Sequence, residues 1–216
     1  MHVGEPHKAP SGFHEFRREY AMIVLSILTA LGFERGAVYL HDRAAAQESR
    51  VRIEQEIDGD VAELRKAADF NEANVTATRE ALKALLAMLK APAPDAAREQ
   101  QAIVDELQKH AGLQLPTWQR EAWDTAIADQ SATHMSAADL RRYAQIYSSA
   151  RDASDATHIV LGGAMFDRMA DLSVDLKLGD ANVREGAKLI ARFLSAGQQI
   201  TLVQKQLLDV ATGKSK

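Results

Sequence analysis

The chain has 216 residues, 46% hydrophobic and 26% charged, with a net charge of −4 and no cysteine. That balance describes a folded chain rather than a disordered one, and it lacks the basic excess of a nucleic-acid binder. Without cysteine there are no disulfides, no thiolate metal sites and no thiol catalysis.

Five prolines and 12 glycines, set against abundant Ala, Leu, Glu, Gln, Lys and Arg, favour helix nearly throughout. Residues 1–19 divide into a tail and a lead-in. The tail carries Pro6, Pro10 and Gly12 and no periodicity, and is expected to be flexible. The lead-in, FHEFRREY, places aromatic and basic residues just ahead of an apolar run.

Residues 20–40, YAMIVLSILTALGFERGAVYL, form the one stretch with the length of a membrane span. A helix rises about 1.5 Å per residue, so about 20 residues match a hydrocarbon core of about 30 Å. Tyr20 to Phe33 is apolar apart from Ser26 and Thr29, whose hydroxyls can bond back to the helix backbone. Glu34 and Arg35 follow, where Arg35 can snorkel to the interface and Glu34 can pair or be protonated. Tyr20 and Tyr39 fall at interfacial levels. The alternative is a buried core helix of a soluble domain, because the unbroken apolar run is short. Ser26 and Ala30, and Gly32 and Gly36, recur at the four-residue spacing that lets helices approach closely. Basic residues flank the run on both sides, and the reading adopted is N-terminus inside, with the large domain periplasmic.

The run GFHEFRREYAMIVLSILTALGFERGAVYLHDR, with the charged helix after it, resembles uncharacterised small proteobacterial membrane proteins. In these a Glu-Phe-x-Arg-Glu-Tyr lead-in opens a single N-terminal span, and a helical extramembrane domain follows. The stretch from Trp118 to Tyr147, with Arg-Arg-Tyr-x-x-Ile-Tyr, is similar to the same group. The resemblance implies an anchored helical protein of the bacterial inner membrane and carries no catalytic residue.

From Ala44 to Lys90 there is no proline and one glycine, Gly59. Ile57, Val61, Leu64, Ala68, Asn71, Val75, Thr78, Leu82, Leu85 and Leu89 alternate in steps of four and three, a heptad pattern with Asn71 and Thr78 as polar members. Ala67, Ala81, Leu86 and Met88 broaden the stripe towards a bundle, and an oligomeric coiled coil remains the alternative. Ala91-Pro-Ala-Pro94 ends this helix, and Asp95 is placed to cap the next, which stops near Gly112. Pro116 and Thr117 are expected to open a short helix carrying Trp118 and Trp123. Ser136 and Asp139 start a long helix that is expected to run through Gly162-Gly163 to Leu172. Gly179 and Asp180 mark the last break, and Val183 to Val210 form the final helix. No strand signal is present.

Little in the sequence points to chemistry. No two histidines stand three or four apart, there is no HExxH, and no Glu-x-x-His supports a di-iron bundle. Glu54, Glu56, Asp58 and Asp60 read as a solvated acidic face, and Arg141-Arg142 as surface charge. Gly213-Lys214-Ser215 mimics the end of a phosphate loop, but Leu208 stands where its first glycine belongs.

The expectation is therefore an all-α protein. A tail and lead-in (1–19) precede a transmembrane helix (20–40) that continues into a long helix. An antiparallel bundle (41–212) and a tail (213–216) complete it. It is read as non-enzymatic, without cofactor or metal, and as meeting the lipid bilayer and a protein partner or a second copy. The alternative is a soluble sensor or small-ligand module. Candidate interaction residues are Gly32, Glu34, Arg35 and Gly36 in the span. Trp118, Trp123, Tyr143 and Tyr147 are either a binding patch or core.

Overall fold

The computed structural model describes residues 12–90, 95–110, 112–162, 171, 174–175 and 183–214. The described residues are all-α. Helix α1 (Gly12–Leu89, 78 residues) is continuous from the lead-in through the apolar run into the heptads. At about 1.5 Å per residue it extends about 115 Å. The lead-in from residue 13 is thus already helical, and residues 1–11 of the expected tail lie outside the described residues.

The two halves of α1 have different surroundings. Phe16, Tyr20, Met22, Ile23, Leu25, Ile27, Leu28, Leu31, Phe33, Val38, Tyr39 and Leu40 are all exposed. The buried-core alternative for residues 20–40 finds no cover among the described residues, and no part of the most apolar window is buried. Ser26 and Thr29 each donate a 2.7 Å bond to the carbonyl four residues back, as their sequence context predicts. This segment is long and apolar enough to cross a membrane.

Beyond residue 45 one face of the helix closes over. Of the ten heptad positions, Ile57, Leu64, Ala68, Asn71, Val75, Thr78, Leu82 and Leu85 are buried, and Val61 and Leu89 are half-buried. The stripe starts earlier than the pattern indicates, at Ala46, Ser49 and Ile53. It packs within the chain. Full burial of each such Leu or Ile stabilises by about 1.5–3 kcal/mol.

The other described elements cover this stripe in three passes. The first descends towards the apolar stem. It comprises α2 (Ala96–His110), a non-helical strap over residues 112–120, α3 (Glu121–Ala128) and a 3-10 turn (Ser131–His134). Asp95 caps α2 through the Arg98 N–H. Helix α4 (Ala137–Leu161) then climbs beside α1. Ser136 caps it by accepting from the Asp139 N–H at 3.0 Å. Helix α5 (Val183–Ala211) descends again, so that Leu82 and Leu85 meet Ala187 and Ile190 and Leu64 meets Leu207. Gly213, at φ +70°, closes α5 by the left-handed turn that favours glycine. The Lys214 N–H reaches the Asp209 carbonyl at 2.8 Å.

Two expected elements are corrected. Pro116 and Thr117 open no helix: residues 112–120 form neither helix nor strand and α3 starts only at Glu121. Helix α4 stops at Leu161 rather than continuing through the glycine pair, with Gly162 at its end. A glycine in a helix interior is unfavourable by about 1 kcal/mol relative to alanine, and Gly162 stands at the C-terminal cap of this helix. Gly163, Ala164, Met165, Met169, Leu172, Gly179, Asp180 and the Ala91–Pro94 linker lie outside the described residues.

Candidate functional site

The strap is the structural centre of the bundle. A non-helical segment has N–H and C=O groups with no helical partner, and each must be bonded or solvated. Here side chains of α1 supply the bonds. Asn74 donates to the Gly112 carbonyl at 2.8 Å. Asn71 grips Gln114 at both ends, donating to its carbonyl at 2.8 Å and accepting its N–H at 2.8 Å. Asp60 Oδ2 accepts the Gln119 N–H at 3.0 Å. Glu56 Oε2 accepts the Ala122 N–H at 2.8 Å, capping α3, whose own first residues offer no side-chain cap. Asn71 also donates to Gln204 Oε1 of α5 at 3.0 Å, and Gln204 Nε2 reaches the Gln114 carbonyl at 2.9 Å.

The acidic run at the start of the heptads is therefore not a solvated face. Only Asp58 is fully exposed. Glu54 accepts from Arg142 and, at 2.7 Å, from the Tyr143 hydroxyl. Glu56 accepts from the Tyr147 hydroxyl on its second oxygen. Burial alone pushes the Glu54 carboxyl up, but the bonds from Arg142 and Tyr143 and the Arg142 charge outweigh it and hold it below the ordinary range. Burial, then the Glu54 carboxylate, pushes the Tyr143 hydroxyl up to about 12. Tyr147 is raised too, by burial and by Glu56. Asp60 is more deeply buried than Glu54, and among the described residues it has no Arg142-like cation beside it. Burial drives its carboxyl up to about 6, the Gln119 N–H offsets part of this, and the Glu56 and Glu63 charges add to it. Arg142, read from the sequence as surface charge, is tied to Glu54.

The four aromatic candidates gather at one core cluster, with Tyr143 and Tyr147 inside it and Trp118 and Trp123 packed against it. Trp123 stacks on Tyr147 (centroids 5.5 Å apart, planes at 13°) and meets Tyr143 edge-on at 6.1 Å. Tyr143 and Tyr147 are 0% and 5% exposed, so their rings belong to a core that also holds Ile53, Ile57 and Ile146. Trp118 and Tyr147 alone of the four line a cleft of about 420 Å³ between α1, the strap, α4 and α5. Its lining is mixed: Leu64, Leu115, Ala150, Val203 and Leu207 are apolar, and Asp60, Arg120, Arg151 and Gln204 lie among them. Apart from Trp118 and Tyr147, none of the lining residues, Asp60 among them, was placed in a cleft by sequence reasoning. Asp60 falls within an acidic run, and nothing in the sequence shows which of its carboxylates turns inward.

The four span candidates remain apart from this site. Gly32, Glu34, Arg35 and Gly36 are exposed along the stem, and a Cβ added at Gly32 or Gly36 would meet nothing within 4 Å. Among the described residues no three His, Asp or Glu side chains converge as a metal site would need. No family model, curated protein or solved structure matches the chain.

Proposed function

We propose that the chain is a single-pass protein of the bacterial inner membrane. Residues 20–40 hold it in the bilayer, and its helical domain (41–212) is a non-enzymatic interaction or scaffold module on the periplasmic side. The observation that carries this reading is the stem. A dozen large apolar side chains between Phe16 and Leu40 stand exposed on a helix that continues unbroken into a packed bundle. Water would oppose such a surface strongly, and lipid would cover it. The bundle meets the stem directly. His134 reaches Asp42 at 3.6 Å and Ser131 bonds Ser49 at 2.8 Å, so the 3-10 turn sits beside the end of the apolar run. A helix without a flexible joint there would hold the bundle close to the membrane surface. Glu34, Arg35 and the Gly32–Gly36 pair are then the residues available for contact with a second span.

The cysteine-free sequence makes a direct test available. Single cysteines are placed at Val24, Leu28, Leu31 and Gly36, and at Arg17 and Ala44 as flanks. They are then treated in native membranes with a membrane-impermeant maleimide. Shielding of the inner four with labelling of a flank supports the anchor. Equal labelling at all six positions contradicts it. Disulfide crosslinking through Gly32→Cys or Gly36→Cys would support self-association, and its absence together with monomeric mass in detergent would contradict a homo-oligomeric scaffold.

A further inference from the structure

The cleft between α1, the strap, α4 and α5 holds one buried charge. Asp60 is 5% exposed. Its Oδ2 takes the Gln119 N–H, while Oδ1 has no hydrogen-bond partner among the described residues. An ionised carboxylate can accept about four bonds, so most of this one's capacity is left to solvent or a ligand. Among the described residues no lysine, arginine or histidine pairs with it. The other charged residues around the cleft, Arg120, Arg151, Asp155 and His158, are exposed. Arg120 is already clamped by Asp124 through two bonds of 2.9 and 2.7 Å. Arg151 and Asp155 stand four residues apart on α4 at the exposed rim, one of each sign.

A buried carboxylate without a counter-charge is unfavourable, and a cation brought to it recovers that loss. The lining around Asp60 combines hydrocarbon, from Leu64 and Leu207, with two aromatic rings, Trp118 and Tyr147, and with polar groups such as Thr117 and Gln204. Its apolar and aromatic parts attract alkyl groups and organic cations alike. The volume of about 420 Å³ lies within the range of small-ligand sites, roughly 300–1,000 Å³. We propose that this cleft is a binding site for a compact organic cation, an ammonium or quaternary ammonium group on an apolar body, with the Asp60 carboxylate as its counter-ion. The site belongs to the helical domain and does not depend on the anchor.

The test uses the full chain in detergent micelles and three water-soluble probes of similar size: benzyltrimethylammonium, benzyl alcohol and benzoate. Tryptophan emission, excited where the probes do not absorb, follows binding beside Trp118. Benzyltrimethylammonium should give a saturable change, and benzoate none. Asp60→Asn retains an acceptor for the Gln119 N–H and should weaken binding of the cation by about tenfold or more. Asp155→Asn removes the same charge from the exposed rim and should change affinity by less than about twofold. Helical circular dichroism and a cooperative melt check that each variant is folded. No saturable change with the cation, benzoate binding as well as the cation, or a folded Asp60→Asn that binds like the unaltered protein would each overturn the proposal.

Discussion

The carboxamide of Asn71 bonds the backbone of Gln114 twice, accepting its N–H and donating to its C=O, both at 2.8 Å. A residue of a β-sheet makes that pair of bonds to a neighbouring strand. Here one side chain of a helix makes both, and Asn74, Asp60 and Glu56 extend the same service along the strap. The distances agree. From Asn74 to Glu56 α1 falls 18 residues, about 27 Å, and the ten residues from Gly112 to Ala122 can reach about 33 Å when fully extended.

Asn71 is 0% exposed and touches the strap and α5 together. Asn71→Ala leaves the Gln114 N–H without its partner, the Gln114 carbonyl with Gln204 alone, and Gln204 with one contact fewer. A loss of about 2–4 kcal/mol is expected from the unpaired groups, read as a lower midpoint in denaturant titration of the full chain. A loss below about 1 kcal/mol would show that the strap is held by its apolar contacts instead.

Asp60 sets a pH trend of known sign. Its folded pKa, about 6, lies above the ordinary value of 3.8. Between those values the folded state binds more protons than the unfolded one, so this group's contribution falls as pH rises through that window and is least favourable above it. Asp60→Asn should therefore be more stable than the unaltered chain at pH 8, by about 1–2 kcal/mol, with the gain shrinking towards pH 4. The difference between the two proteins is the quantity to follow, because Glu54, held low by Arg142 and Tyr143, bends both curves the other way in acid. A variant less stable at pH 8 would contradict the assignment.

Gly197 and Gly186 let α5 approach its neighbours. A Cβ at Gly197 would lie 2.9 Å from Val75 Cγ2, and one at Gly186 would lie 2.8 Å from Ile103 Cδ1. Gly197→Val should lower stability by about 1–3 kcal/mol through overpacking, measured by thermal melting. Gly59, with open space around it, is the control: Gly59→Ala should raise stability by about 0.5–1 kcal/mol through helix propensity alone.

Leu28 lies near the middle of the stem and is exposed. Leu28→Arg opposes insertion by roughly 2.5–3.5 kcal/mol at a span centre and should shift protein from the membrane to the soluble or degraded fraction, read by fractionation and immunoblot. Leu115→Arg, an exposed residue of the bundle, should leave the distribution unchanged.

Much of the frame is legible in the sequence, and the reasons are physical. Period marks burial, so the heptads from Ile57 to Leu89 name the face of α1 that is covered. Capping residues such as Asp95 and Ser136 act through neighbours three residues on and are visible locally. Asn71 stands out as a polar member of an apolar stripe, but its partner, Gln114, lies 43 residues away in a segment with no strand pattern. Glu54, Glu56 and Asp60 are hidden for the same reason. A carboxylate on a helix reads as solvated until the chain that descends against it is known. The strap itself escapes because its bonds go to side chains and need no alternation of its own residues.

The account rests most on the stem. The full chain, tagged at its C-terminus, would be expressed in bacteria. Membranes would be washed with alkaline carbonate, and protease would be added to intact spheroplasts. The tag should remain in the washed pellet and be lost to external protease, as a single span with a periplasmic bundle requires. Full protection would turn the bundle to the cytoplasm. Release of the protein into the carbonate supernatant would contradict the anchor and leave the exposed apolar stem to be covered by protein instead of lipid.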